Sequence, residues 1–306
     1  MNRVLITGAT GTTGSRVAAD LAERGVATRL ATRTPQSTGQ IQFNWEDCDT
    51  HKAALQGISA IYLIAPMGVA DPVPLVQTFL DEALDQGVQR VVALSSSALP
   101  EGAPGLGAVH HLVKTAMPEW TVLQPSWFMQ NFTGDHLVAQ GVRDGEIVTA
   151  TGDGKVAFVD AADIAAVAGC ALTDDRAHNT EHLLTGPEAL SYADAATILS
   201  QQTGRTIRHR SVPAREVARR IAAHGIPAEF AQVLAAMDVA ISAGAEGRVI
   251  GTVERIAGRP DGVLAPDPGL PRWTLVREVV ADLGTGTLVD ADSPDEFVAA
   301  VRDADL

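Results

Sequence analysis

Short apolar runs alternate with helix-patterned stretches through the first half of the chain. The runs fall at 3–7, 27–32, 40–45, 60–65, 90–95 and 120–125. Their near-continuous hydrophobicity, as in Ala60-Ile-Tyr-Leu-Ile-Ala65 and Arg90-Val-Val-Ala-Leu-Ser95, suits parallel strands covered on both faces. Between them, apolar residues recur at helical spacing near 13–24, 50–56, 72–86 and 106–117, with a further helix after 127. Right-handed crossovers then predict an α/β fold, a doubly wound parallel sheet with its ligand crevice at the carboxyl ends of the strands.

Past residue 145 the alternation is less regular. The pattern predicts a strand at 156–159, a helix at 160–172 and a strand at 181–185. A helix at 192–202 with Ser191 as N-cap follows, then a strand at 206–212 and helices near 213–224 and 227–243. We read residues 1–150 as one domain, its sheet completed by parts of 151–185. Residues 185–260 form a small C-terminal α/β lobe, and residues 261–306 an acidic, loosely packed extension of unknown role.

The sharpest local signal is Thr7-Gly8-Ala-Thr10-Gly11-Thr12-Thr13-Gly14, three glycines at i, i+3 and i+6 between a strand and an amphipathic helix. Gly8 allows the tight turn, Gly11 lets the backbone approach a pyrophosphate, and Gly14 lets helix and sheet pack closely. The helix directs its unpaired amides and positive dipole end at the phosphates, so Thr10, Thr12 and Thr13 join the glycines as expected contacts. The place where an NAD-selective site carries an acid reads Ala31-Thr32-Arg33-Thr34. Arg33 offers a fork to a ribose 2′-phosphate and Thr32 a hydroxyl, which predicts NADPH as cofactor. Asn44 or Trp45 falls beside the adenine, and Ile64, Ala65, Pro66, Ser95 and Ser96 end the fourth and fifth strands at the crevice. The serines read equally well as caps of the following turn.

Charge and composition narrow the partners. Of 306 residues, 46% are hydrophobic, and the net charge of −14 argues against nucleic acid or an anionic membrane. No apolar run approaches a membrane span, and the N-terminus lacks a leader pattern. Cys48 and Cys170 fit neither a disulfide framework nor a metal site, so a reducing, cytoplasmic setting without a metal is expected. Six arginines between Arg205 and Arg220 read as a solvated helix face. A small-molecule substrate and a monomer or homodimer are expected.

The glycine motif, Ala31-Thr-Arg33, Ser95-Ser-Ser97, Trp120-Thr-Val-Leu-Gln-Pro125-Ser-Trp-Phe-Met-Gln-Asn131 and Ala150-Thr-Gly-Asp-Gly-Lys-Val-Ala-Phe-Val-Asp160 together resemble the NmrA-like branch of atypical short-chain dehydrogenase/reductases. Phe43-Asn-Trp45 and Tyr62-Leu-Ile-Ala-Pro66 bring the resemblance nearest to the festuclavine-dehydrogenase-like subgroup, which reduces iminium intermediates of ergot alkaloids with NADPH. The resemblance covers about residues 3–260. It implies a Rossmann sheet, with Pro125, Trp127, Phe128 and the backbone around Ser126 at the nicotinamide.

Carbonyl-reducing relatives in that superfamily use a tyrosine with a lysine four residues on. Tyr62 and Tyr192 are the two tyrosines of this chain, and neither has a lysine at that spacing. His110-His-Leu-Val-Lys114 puts an imidazole and an ammonium on one helix face, so His110 and Lys114 are the candidate catalytic pair. The gap favours an acceptor that needs no proton in the slow step, an iminium or a quinone, reduced by orientation beside the cofactor. The alternative is a non-catalytic NADP(H)-binding redox sensor.

Overall fold

The structure, a computed structural model, describes residues 3–66, 68–69 and 71–258, so the acidic segment 261–306 lies outside the described residues. In chain order the first elements are β1 (Arg3–Ile6), α1 (Thr12–Glu23), β2 (Ala27–Thr32), β3 (Gln40–Gln42), α2 (Cys48–Leu55) and β4 (Ala60–Leu63). They continue as α3 (Val73–Asp85), β5 (Arg90–Leu94), α4 (Leu106–Ala116) and β6 (Glu119–Pro125). A 3₁₀ turn at Met129–Phe132 precedes α5 (Leu137–Asp144), β7 (Glu146–Thr149), β8 (Lys155–Val156), α6 (Ala161–Thr173) and β9 (Thr180–Leu184). The last are β10 (Leu190–Ser191), α7 (Tyr192–Thr203), β11 (Arg208–Ser211), α8 (Ala214–Ala223), α9 (Ala228–Ser242) and α10 (Thr252–Ala257).

These elements form two units. One holds residues 3–125, Ala161–Leu184 and 251–258; the other holds Ser126–Asp160 and Thr185–Ile250. The sequence pattern places its boundaries at 150, 185 and 260, whereas the contacts place them at 125, 160, 184 and 250. The chain leaves the sheet after β6, packs 126–160 elsewhere, and returns for α6 and β9. Periodicity along a chain carries no mark of such a departure.

In the first unit, the described strands form a parallel sheet in the order β3-β2-β1-β4-β5-β6-β9. The direction of winding reverses between β1 and β4, which makes a crevice at their carboxyl ends. All four positions of β4 are buried, as the unbroken apolar run requires. Helix α1 turns Thr13, Gly14, Val17 and Leu21 inward and lies against α6, an alanine-rich helix buried over most of its length. The opposite core gathers Leu5, Ile61, Leu63, Phe79, Leu80 and Val91. Several strands stop one to three residues short of the expected ends because Thr7, Ile64 and Asn44 spend their hydrogen bonds in the crevice loops. Arg90, at the start of β5, holds Glu119 of β6 at 2.7 Å and the Asp174 carbonyl beyond α6 at 2.7 Å.

In the second unit, β7 pairs with β11 in parallel and β8 with β10 antiparallel. Phe158 meets Phe132 and Tyr192 edge-on, with ring centroids 5.2 and 5.3 Å apart. Ser191 caps α7 as expected, in a reciprocal box with Asp194. Within the arginine-rich stretch, Arg210 lies 3.0 Å from Glu146, and Glu216 is 3.6 Å from both Arg210 and Arg220. Among the described residues, no helix is long and apolar enough to cross a membrane.

The first unit carries a pH-sensitive point. Buried His182 on β9 contacts His178 at 2.8 Å, and His178 in turn reaches Asp174 at 3.0 Å. Burial first, then the nearby His178 and Arg255, lowers His182 to about 4. The unfolded chain takes up this proton near pH 6.5 and the native chain only near pH 4, so native stability falls as pH drops between those values. The loss is at most about 3 kcal/mol for this group, and solvent screening at the partly open ring reduces it. Urea denaturation from pH 7 to pH 4 should show it, and His182→Gln should flatten that dependence; an equally steep curve in the variant would refute the assignment.

Candidate functional site

The crevice begins with a buried hydroxyl. Thr7, just past β1, donates its Oγ1 hydrogen toward the Ile64 carbonyl at 3.1 Å and accepts from the Ile64 N–H at 2.7 Å. Its own N–H donates to the Tyr62 carbonyl at 3.0 Å. One side chain thus splices the ends of β1 and β4 and fixes the path of Ile64, Ala65 and Pro66. Gly8 turns the chain with φ +60°, and a Cβ there would lie 3.1 Å from Ile64 Cδ1.

The rest of the turn is made by backbone. Gly11 N–H donates to the Gly8 carbonyl at 3.0 Å and Ser15 N–H to that of Gly11 at 3.1 Å. A Cβ at Gly14 would overlap the Gly8 carbonyl, so helix and turn are in contact there. The start of α1 has no side-chain cap, and the exposed Thr10, Gly11 and Thr12 leave the approach to its amides open. A pyrophosphate fits this cradle by shape and by dipole. A second fitting feature is Ser95, whose buried Oγ has no hydrogen-bond partner among the described residues. Ser96 differs, since its hydroxyl accepts the Ala98 N–H at 3.3 Å and so closes the next turn.

At the end of β2, Arg33 is exposed and has neither hydrogen bond nor ion pair among the described residues. Thr32 beside it accepts the Thr34 N–H at 3.4 Å. Asn44 lies beyond β3, exposed, with its Oδ1 taking the Glu46 N–H at 3.2 Å. Trp45 packs edge-on against Phe43 and Phe79, with centroids 5.0 and 5.2 Å apart, so its ring is committed to the core cluster.

In the second unit, the segment after Pro125 is pinned to Val159. Val159 N–H donates to the Trp127 carbonyl and Met129 N–H to that of Val159, both at 2.9 Å. Trp127 leans on the unit's core and Phe128 is half-buried. Nearby in this unit a cavity of about 580 Å³ is walled by Trp127, Val148, Tyr192, Ile221, Leu234 and Asp238. Asp238 accepts the Ala150 N–H at 2.8 Å. Burial pushes its carboxyl up to about 6, against the pull of that hydrogen bond.

The candidate acid–base pair is engaged elsewhere. Lys114 Nζ donates to Glu101 at 2.7 Å, and His111 contacts the other oxygen of that carboxylate at 2.9 Å. His110 is fully buried with Nε2 3.3 Å from Glu181, and burial lowers its affinity for a proton despite that carboxylate. Glu101, His110 and Glu181 bring their ligating atoms within 4.8 Å of one another. The Lys114 ammonium already neutralises Glu101, which disfavours a divalent ion there. Both tyrosines are fully buried, and burial raises each phenol above its ordinary range. Sequence reasoning missed Thr7 and Asp238. An alternating strand end followed by glycine could have flagged the first; nothing in the helix pattern of 228–242 marks the second.

Comparison with known proteins gives the chemistry a context. The profile of the NmrA-like family matches residues 108–253, and that of an NAD(P)H-binding family matches residues 8–175. The chain is 46% identical to the uncharacterized oxidoreductase YesF of Bacillus subtilis, over 84% of this chain and 91% of that protein. It is 38% identical to festuclavine synthase II of Penicillium roqueforti, over 84% and 94% of the two. Among solved structures, the NADPH-dependent quinone oxidoreductase QOR2 of Escherichia coli, complexed with NADPH, aligns with a TM-score of 0.73 at 25% identity, over 86% and 97%.

The splice at Thr7 yields a direct test. Thr7→Val keeps the shape and leaves the half-buried Ile64 N–H without its acceptor, which should cost about 1–3 kcal/mol. Chemical denaturation should show the loss at constant m-value, whereas Thr7→Ser should recover most of it.

Proposed function

We propose that this chain, which belongs to the NAD(P)H-binding, NmrA-like family of oxidoreductases, is an NADPH-dependent reductase that transfers hydride to an activated small-molecule acceptor, an imine, iminium or quinone. The observation that carries the reading is a pairing: a backbone cradle built for a pyrophosphate, in a chain whose two tyrosines lack a lysine four residues on and whose phenols burial holds above their ordinary range. Gly8, Thr10, Gly11, Thr12, Thr13 and Gly14 would hold the phosphates, and Thr32 with Arg33 the ribose 2′-phosphate. Asn44 would face the adenine. Ile64, Ala65, Pro66, Ser95, Ser96 and Pro125 would line the nicotinamide ribose, with Trp127 and Phe128 against one ring face.

Bound NADPH would supply the hydride. With an iminium acceptor the C=N π pair moves to nitrogen as the new C–H bond forms, so the product is a neutral amine and no proton is needed. The chain's residues then have three tasks: hold the cofactor, present one ring face, and exclude water. His110 and Lys114 stand as the acid–base alternative, opposed by their ties to Glu181 and Glu101.

Arg33 decides the cofactor. Arg33→Ala should weaken NADPH binding by about 1.5–3 kcal/mol, the value of a charge-assisted contact, and leave NADH nearly unchanged. Equal losses for both cofactors in calorimetric titrations would sink the assignment. The chemistry is tested by single-turnover NADPH oxidation with a preformed cyclic iminium, a quinone and a simple ketone. The activated acceptors should react, and His110→Ala should slow them less than about tenfold, where a true general acid gives about 10²–10⁴-fold. Binding of both NADP forms without turnover of any acceptor would favour the redox sensor instead. Efficient ketone reduction that collapses in His110→Ala would restore the histidine as acid.

A further inference from the structure

Two features of the chain take no part in the proposed reaction: the arginine-rich stretch and the acidic segment beyond the described residues. The arginines fall on and around β11 and α8 of the second unit. Glu146 and Glu216 occupy Arg210 and Arg220. Arg208, Arg215 and Arg219 are exposed, and their guanidinium groups have neither hydrogen bond nor ion pair among the described residues. Arg215 and Arg219, at i and i+4, share one face of α8. Helix α8 packs on α9 through Val217, Ile221, Ala231 and Ala235. On α9, Phe230 and Val233, at i and i+3, are 44% and 48% exposed. One helical hairpin thus presents free cations and bare apolar side chains. Each is ordinary alone on a protein surface. Their combination is the complement of a segment that is both acidic and apolar.

The chain carries such a segment. The carboxylates of Asp290, Asp292, Asp295, Glu296, Asp303 and Asp305 surround Arg302 alone, and Phe297, Val298 and Val301 lie among them. We propose that residues 290–305 dock on the α8–α9 hairpin of their own chain, with carboxylates on Arg215 and Arg219 and apolar side chains on Phe230 and Val233. Reach sets no limit, because residues 259–289 can span up to about 100 Å when extended. Tethering holds the segment near its site at an effective concentration on the order of millimolar, so contacts that are weak singly suffice. A separate anionic partner lacks that advantage and meets the repulsion of a net charge of −14. The tethered segment already belongs to that charge, and docking relieves the repulsion among its own carboxylates. The proposal is independent of the reductase reading.

Hydrogen–deuterium exchange of the full chain, read by mass spectrometry on peptides covering 290–305, tests it. In wild type at low salt these amides should exchange at least about tenfold slower than in the free peptide. Arg215→Glu with Arg219→Glu should bring them to within about twofold of the free rate, and so should Asp295→Lys with Glu296→Lys. Uniting the two pairs exchanges the charges across the contact and should return most of the protection, which misfolding alone cannot do. Sodium chloride at about 0.5 M should weaken the protection in wild type. Peptides from β7 and α9 report in each variant that the second unit stays folded. Free-rate exchange in wild type, protection indifferent to both charge reversals, or no recovery in the folded charge-exchanged variant would overturn the proposal. So would protection that grows with protein concentration, because a second copy would then hold the segment.

Discussion

At Gly14 the first turn of α1 touches the carbonyl of Gly8, with no room for a side chain between them. This contact sets how near the helix start comes to the ends of β1 and β4. A methyl group there would push the helix outward and carry its first amides away from the crevice. Thr7 acts on the same region from below, because its hydroxyl satisfies both the carbonyl and the amide of Ile64 where the ladder ends. The crevice is therefore defined by backbone atoms held at fixed distances. In the proposed reading, Arg33 at its rim would add selectivity.

The described residues differ from those of proteins that carry a tyrosine and a lysine as proton donors. Here the phenols are structural: Tyr62 fills the centre of β4, and Tyr192 completes the ring cluster of Phe132 and Phe158. On α4, Lys114 and His111 are spent on Glu101, and His110 lies against Glu181. On the cavity wall of the second unit, Asp238 is a carboxyl that burial raises to about 6, close to the range in which a carboxyl can give or take a proton near neutral pH. In the proposed reading, the acceptor arrives already electrophilic.

Much of this was legible in the sequence. The apolar runs located β1 to β6 closely, the glycine spacing located the turn, and Ser191 announced α7 with its capping box. These features are local, since each depends on residues within a turn or a strand of one another. What the chain did not disclose depends on distant partners. Glu181 meets His110 across 71 positions of sequence (181 minus 110), which turned an apparent catalytic histidine into a buried one with a carboxylate neighbour. Asp238 reaches Ala150 across 88 positions, so nothing near either residue signals the pair. The unit boundaries belong to this second group as well.

The interrupted path of the first unit also shapes how the protein is made. Strand β6 is complete at Pro125, but its outer neighbour β9 ends only at Leu184, after the whole of 126–160 and α6. During synthesis at about 5–20 residues per second, the edge of β6 therefore waits on the order of several seconds for its partner. An apolar strand edge in that condition is a template for another chain.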